Sequence, residues 1–152
     1  MTACRRFPAR FRVSRHPFFR VEKRSLNIRY FLNQDHFEKL VEEALAGLPE
    51  RFASRLENVS ILVADLATPE QLAKVNLSDP HRLLGLYEGI PLTERPRGYY
   101  GVLPDRITIF RIPIEEMSST DEDIRKQVRE TVMHELGHFF GMDEQRIRKT
   151  RR

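Results

Sequence analysis

The sequence predicts one domain that mixes helices with short strands. Three observations carry this reading. Residues 36–48 repeat apolar side chains at helical spacing. Residues 59–64 and 106–112 are short, β-branched runs of strand character. A further helix is signalled from Thr120 to about Phe140, capped at its start and followed by a glycine.

Taken in order, Phe37, Leu40, Val41, Ala44, Leu45 and Leu48 follow an i, i+3, i+4, i+7, i+8, i+11 pattern, with Asp35 and Glu38 as the expected capping pair. Pro49 ends this helix, and a short helical turn is expected over residues 50–56. Val59 to Ala64 is apolar and β-branched, so it reads as a buried strand. Thr68-Pro69-Glu70-Gln71 combines a cap, a proline at the first helical position and a capping-box Gln, predicting a short helix to about Val75. Residues 79–104 hold most of the glycines and several prolines and predict one long irregular region with brief ordered pieces, such as residues 83–87. Residues 106–112 alternate as a strand, which Pro113 is expected to stop. Thr120 then caps a helix whose first turn holds Asp121, Glu122 and Asp123, the charge that a helix N-terminus favours.

The 152 residues suffice for one domain with a real core, and no run approaches the length of a membrane span. The net charge of +4 hides a division: residues 1–30 carry +8, residues 31–145 carry −9, and residues 146–152 hold five basic residues and no acid. The expected organisation is a basic, disordered extension over 1–30, the folded domain over 31–145 and a basic tail over 146–152. The extension also reads as a basic arm for nucleic acid or as an Arg-rich targeting segment, and this arm is the one route by which nucleic acid could be a partner. The single cysteine, Cys4, excludes an internal disulfide and a metal site built on several thiolates. It fits a reducing compartment, and the expected location is cytoplasmic.

The chemistry sits in His134-Glu135-Leu136-Gly137-His138, an H-E-x-x-H motif late in the last predicted helix. Two histidines four apart lie on one helix face, so both rings can reach one ion. Glu135 points roughly 100° round the helix, where it can take a proton from water instead of binding metal. The third ligand is open between two acids. Counting His134 as one, Gly141 is eight and Glu144 eleven, the place where metzincins return a histidine to the metal. Glu144 or its neighbour Asp143 can supply a carboxylate oxygen at about 2.0–2.2 Å from zinc. His16, His36 and His81 are isolated and poor rivals.

Three stretches carry a family resemblance. Gly85-Leu86-Tyr87-Glu88-Gly89-Ile90-Pro91-Leu92, Leu103-Pro104-Asp105-Arg106-Ile107-Thr108-Ile109-Phe110 and the run from His134 to Gly141 resemble the small bacterial zincin-like metallopeptidases, over roughly residues 35–145. The resemblance implies a compact α+β zincin-like fold, with a small mixed sheet packed against the active-site helix. It implies Zn2+ as cofactor, peptide-bond hydrolysis, and an acid at position eleven, here Glu144. It also implies that an extended peptide adds to an edge strand, either residues 106–112 or the strand pairing with them. Tyr99 or Tyr100, as donor to an oxyanion, and Arg106 are the candidate substrate-binding residues. Packing of the two tyrosines against their own loop is the simpler expectation. The alternative to a peptidase is a non-catalytic domain in which the metal ties the last helix to the turn.

Overall fold

The structure, a computed structural model, describes residues 33–95 and 105–150. Its first helix, α1 (Gln34–Ala46), buries the predicted stripe of Phe37, Leu40, Val41, Ala44 and Leu45. Its cap departs from the expected Asp35 and Glu38 pair. The Asn33 side chain accepts the Asp35 N–H at 3.3 Å, and Glu38 takes a hydrogen bond from the Gln34 amide at 2.8 Å. Asn is as good a cap as Asp, and Asp35 still gains by lying in the first turn.

After α2 (Glu50–Ala53) and a 3-10 turn comes β1 (Val59–Ala64). The helix α3 (Pro69–Lys74) has the expected reciprocal cap: Gln71 N–H donates to Thr68 Oγ1 at 3.2 Å, and Thr68 N–H donates to Gln71 Oε1 at 3.0 Å. A short strand, β2 (Gly85–Glu88), precedes β3 (Asp105–Phe110), α4 (Arg111–Met117), α5 (Asp121–Phe139) and α6 (Glu144–Thr150).

The three strands lie in the order β1-β3-β2, with β3 parallel to β1 and antiparallel to β2. This is the small mixed sheet of an α+β fold. Residues 106–112 are therefore not the edge that the sequence offered for peptide binding, because β3 is paired on both sides. Their pairing partner β2 is an edge strand among the described residues.

Strand alternation divides the core in two. Ile107 and Ile109 of β3, with Val59 and Ile61 of β1, face α1 and α5, where they join Phe37, Leu40, Ile124, Val128, Val132 and Leu136. Phe110 and Leu86 face the other way, against Leu72 of α3 and Ala67. Covered on both sides, β3 is the centre of a helix–sheet–helix arrangement.

The segment after β3 differs from expectation. Pro113 does not end the strand by breaking regular structure; it lies in the first turn of α4. The first N–H groups of a helix have no partner within it, so proline's missing donor costs nothing there. The start of α4 is tied down by its neighbours: Ile112 N–H donates to Asp65 O at 3.1 Å, and Arg111 Nε donates to Asp65 Oδ1 at 2.9 Å.

The helix that carries the motif begins with a reciprocal cap. Asp123 N–H donates to Thr120 Oγ1 at 3.1 Å, while Asp123 Oδ2 accepts the N–H groups of Ser119 and Thr120 at 3.1 and 3.0 Å. Among the described residues, no helix is long and apolar enough to cross a membrane.

Two outcomes follow for this cap. Thr120→Ala should cost about 1 kcal/mol, read as a lower urea midpoint with unchanged m-value. The Thr120 side chain first, then the Ser119 and Thr120 backbone, hold the Asp123 carboxyl below its ordinary value. A carboxyl depressed in the native state adds stability above its unfolded pKa of about 3.9, and that stability is lost as pH falls through the native value. Asp123→Asn should therefore flatten the loss of stability below about pH 4, as measured by urea midpoints across the acid range.

Candidate metal centre

The last two turns of α5 bring His134 and His138 onto one face, with ring centroids 5.1 Å apart. The helix then stops abruptly. Met142 N–H donates to Gly137 O at 2.9 Å, and Gly141 N–H donates to His138 O at 2.9 Å. These two bonds make a Schellman cap, which needs a left-handed residue, and Gly141 supplies it at φ 77°. The chain reverses and enters α6.

The turn assigns different tasks to the two acids. Asp143 caps α6: its Oδ1 accepts Arg146 N–H at 2.8 Å, and its carbonyl accepts Ile147 N–H at 3.1 Å. Glu144 opens α6 and reaches back toward α5. Its Oε2 lies 3.2 Å from His134 Nε2 and 3.5 Å from His138 Nε2. Among the described residues, His134, His138 and Glu144 form the one group of three or more His, Cys, Asp or Glu residues whose ligand atoms converge, all within 4.8 Å.

This donor set fits zinc. Two imidazole nitrogens and one carboxylate oxygen are ligands that zinc takes, and three protein ligands leave a fourth position open. Atoms about 2.0–2.2 Å from a tetrahedral ion lie ~3.3–3.6 Å from each other. Of the two spacings to Glu144, 3.5 Å lies within that range and 3.2 Å just below it.

Residues 146–150 of the expected basic tail form most of α6. Ile147 is 3% exposed and packs on α5 where Gly137 has no side chain; a Cβ there would fall 2.7 Å from Ile147 Cγ1. Gly137, inside the motif, is thus what lets α6 lie close enough for Glu144 to meet the histidines.

Glu135 is not one of the three converging residues; it lies beside them, at the contact between α5 and β2. It is 7% exposed, and its Oε2 accepts Tyr87 N–H at 2.8 Å. Burial pushes its carboxyl up to about 7; the Tyr87 N–H opposes the rise, and the nearby Glu144 charge adds to it. A carboxylate of that basicity suits proton transfer near neutral pH.

The remaining predicted positions do not gather here. Arg106 points to the opposite face of the sheet, as alternation along β3 requires, and its Nε donates to Glu88 Oε2 at 3.0 Å. Glu88 also receives Lys74 Nζ at 2.5 Å and Gln71 Nε2 at 3.2 Å from α3. Tyr99 and Tyr100 lie outside the described residues.

A different tyrosine stands beside the site. Tyr87 sets its ring edge-on to Phe139 at 5.9 Å, and its hydroxyl donates to Asp105 Oδ1 at 3.1 Å. Burial first, then the Asp105 charge, push the Tyr87 hydroxyl up to about 12, so it stays a donor. The sequence offered one signal for it, its place in the Gly85 to Leu92 stretch.

A sequence model of the zincin-like metallopeptidases matches residues 56–152, which takes in all three strands, α5 and α6. No curated protein matches the chain.

The turn gives a direct test. Gly141→Ala places a side chain at positive φ and against Thr93, with its Cβ 2.8 Å from Thr93 Cγ2. The backbone strain alone should cost ~1–2 kcal/mol, seen as a lower melting temperature.

Proposed function

We propose that this chain, which belongs to the zincin-like metallopeptidase family, hydrolyses peptide bonds with a zinc ion held by His134, His138 and Glu144. The observation that carries this reading is the convergence of His134, His138 and Glu144, with the Glu144 Oε2 atom 3.2 and 3.5 Å from the two Nε2 atoms, beside a buried carboxylate that is not part of the set. When bound, zinc would supply a Lewis acid that polarises the scissile carbonyl and makes water nucleophilic at neutral pH.

The chain's own residues divide the other tasks. Glu135 takes the proton that water loses on attacking the carbonyl carbon. It then gives that proton to the amine nitrogen as the C–N bond breaks. The Tyr87 N–H holds one of its oxygens, which orients the carboxylate from a strand instead of a mobile loop. β2 is the strand we assign to an extended peptide, since among the described residues it is an edge strand and lies against α5.

A metal-stabilised domain without turnover would be favoured by four protein ligands and no open position. The use of Asp143 Oδ1 as the cap of α6 argues for three ligands instead. The nucleic-acid reading rests on the basic arm of residues 1–30, which lies outside the described residues.

Glu135→Gln should keep close to one zinc per chain by metal analysis and lower kcat by at least about a hundredfold on a peptide substrate. Hydrolysis at the wild-type rate would overturn the assignment of Glu135. His138→Ala should lose zinc and hydrolysis together. Stripping the wild type with a chelator should abolish cleavage, and added zinc should restore it.

A further inference from the structure

The segment that follows β2 does not hang free beside the metal centre. After Gly89 and Ile90, Pro91 leads into a 3-10 turn over Leu92–Glu94, and Arg95 follows. Arg95 joins three parts of the fold. Its Nε donates to Ile90 O at 2.9 Å, which closes the loop on itself. Its guanidinium pairs with Asp105 Oδ2 at the start of β3, a carboxylate 5% exposed that also accepts the Tyr87 hydroxyl. The same guanidinium lies 5.3 Å over the ring of Phe139, the residue after His138.

Closing that loop has a consequence at the far side of it. Thr93 rests directly on Gly141: its Cγ2 would be 2.8 Å from any Cβ there. Gly141 is the left-handed residue of the turn between His138 and Glu144. A continuous chain of contacts therefore runs from Asp105 through Arg95 and the loop to Thr93, and from Thr93 to the turn that delivers Glu144. In the other direction, Arg95 reaches the end of α5 through Phe139.

We propose that Arg95, anchored on Asp105, is a positioning residue for the third metal ligand: it clamps the β2 loop so that Thr93 supports the Gly141 turn and Glu144 stays within reach of His134 and His138. The inference rests on the metal reading above but concerns a residue that touches neither the ion nor its ligands. Side groups that hold metal ligands in place commonly change affinity by about 10–100-fold when removed.

The test is zinc affinity, measured by competition with a chromophoric chelator on the full chain. Arg95→Met should weaken zinc binding ~10–100-fold, and Arg95→Lys, which keeps a positive charge for Asp105 but not the fork, should fall between. Because the effect runs through Glu144, Arg95→Met should cost little further affinity in a Glu144→Gln background. Should Arg95→Met alone not fold, R95M/D105N removes both charges and leaves no buried acid unpaired, and Thr93→Gly removes the contact on Gly141 while sparing the ion pair. Both should weaken zinc in the same way. Wild-type affinity in these variants would overturn the proposal. So would an equal loss with and without Glu144, which is what general loosening of the fold produces. A wild-type chain that holds no zinc would overturn the metal reading itself, and this role with it.

Discussion

A carboxylate taken out of water needs a donor, and Glu135 finds its donor in the Tyr87 N–H of the neighbouring strand. That single bond couples the rotation of α5 about its axis to the position of β2. With Ile124, Val128, Val132 and Leu136 turned into the core, residue 135 must point toward the sheet edge. Residues 134 and 138 then lie on the half-open flank, where their rings are 21% and 35% exposed as side chains. One helix phase thus sets the core, Glu135 and the two histidines together. A slip of one residue would turn a histidine into the core and strand the buried acid, so packing energy and site geometry resist the same error.

The rest of the centre depends on how closely α5 can be approached. Gly85 of β2 lies where a Cβ would come 2.5 Å from Thr131 Cγ2, and Gly137 lies under Ile147 of α6. Two elements come close to the helix at positions where a side chain is missing, one from the sheet and one from the chain end. The first brings the strand edge to Glu135, and the second brings Glu144 to the histidines. The motif's own glycine is therefore a packing residue, and its role is visible only once α6 is in place.

Much of this was legible beforehand, and what was not shares a physical reason. Local chemistry identified β1, the Thr68 and Thr120 caps, the motif helix and the turning glycine, because each is written in residues a few positions apart. Pro113 misled because proline is equally at home after a strand and in a helix's first turn. Arg106 was offered as a substrate contact because β3 was recognisable but its facing was not: which alternate side chains meet α5 depends on pairing with β1 and β2, and the partners of Arg106 there, Ser60 and Glu88, are 46 and 18 residues away. The helix α6 went unread for a similar reason. Seven residues with one buried isoleucine make a poor helix signal alone, and their stability comes from packing on Gly137, ten residues earlier than Ile147. Nothing in the sequence pairs Arg95 with Asp105, and their meaning lies in being paired across a loop.

The choice between the two acids after the turn can be argued from side-chain length. An N-cap residue must bend its side chain back onto N–H groups two or three residues ahead, a short span that Asp makes well and the longer Glu makes poorly. The next residue starts the helix, with its own backbone committed to helical geometry and its side chain released to reach outward. Asp143 accepts the N–H of Arg146, and Glu144, with one more methylene, spans the gap to two imidazoles. Reversing the order would put the long acid where a short one is wanted and leave the short one to bridge to α5. The order Asp-Glu therefore serves the helix start and the donor set at once, and it explains why the residue at position eleven need not be histidine. A carboxylate there is delivered by the first turn of α6, whose own cap and buried Ile147 hold it against the end of α5.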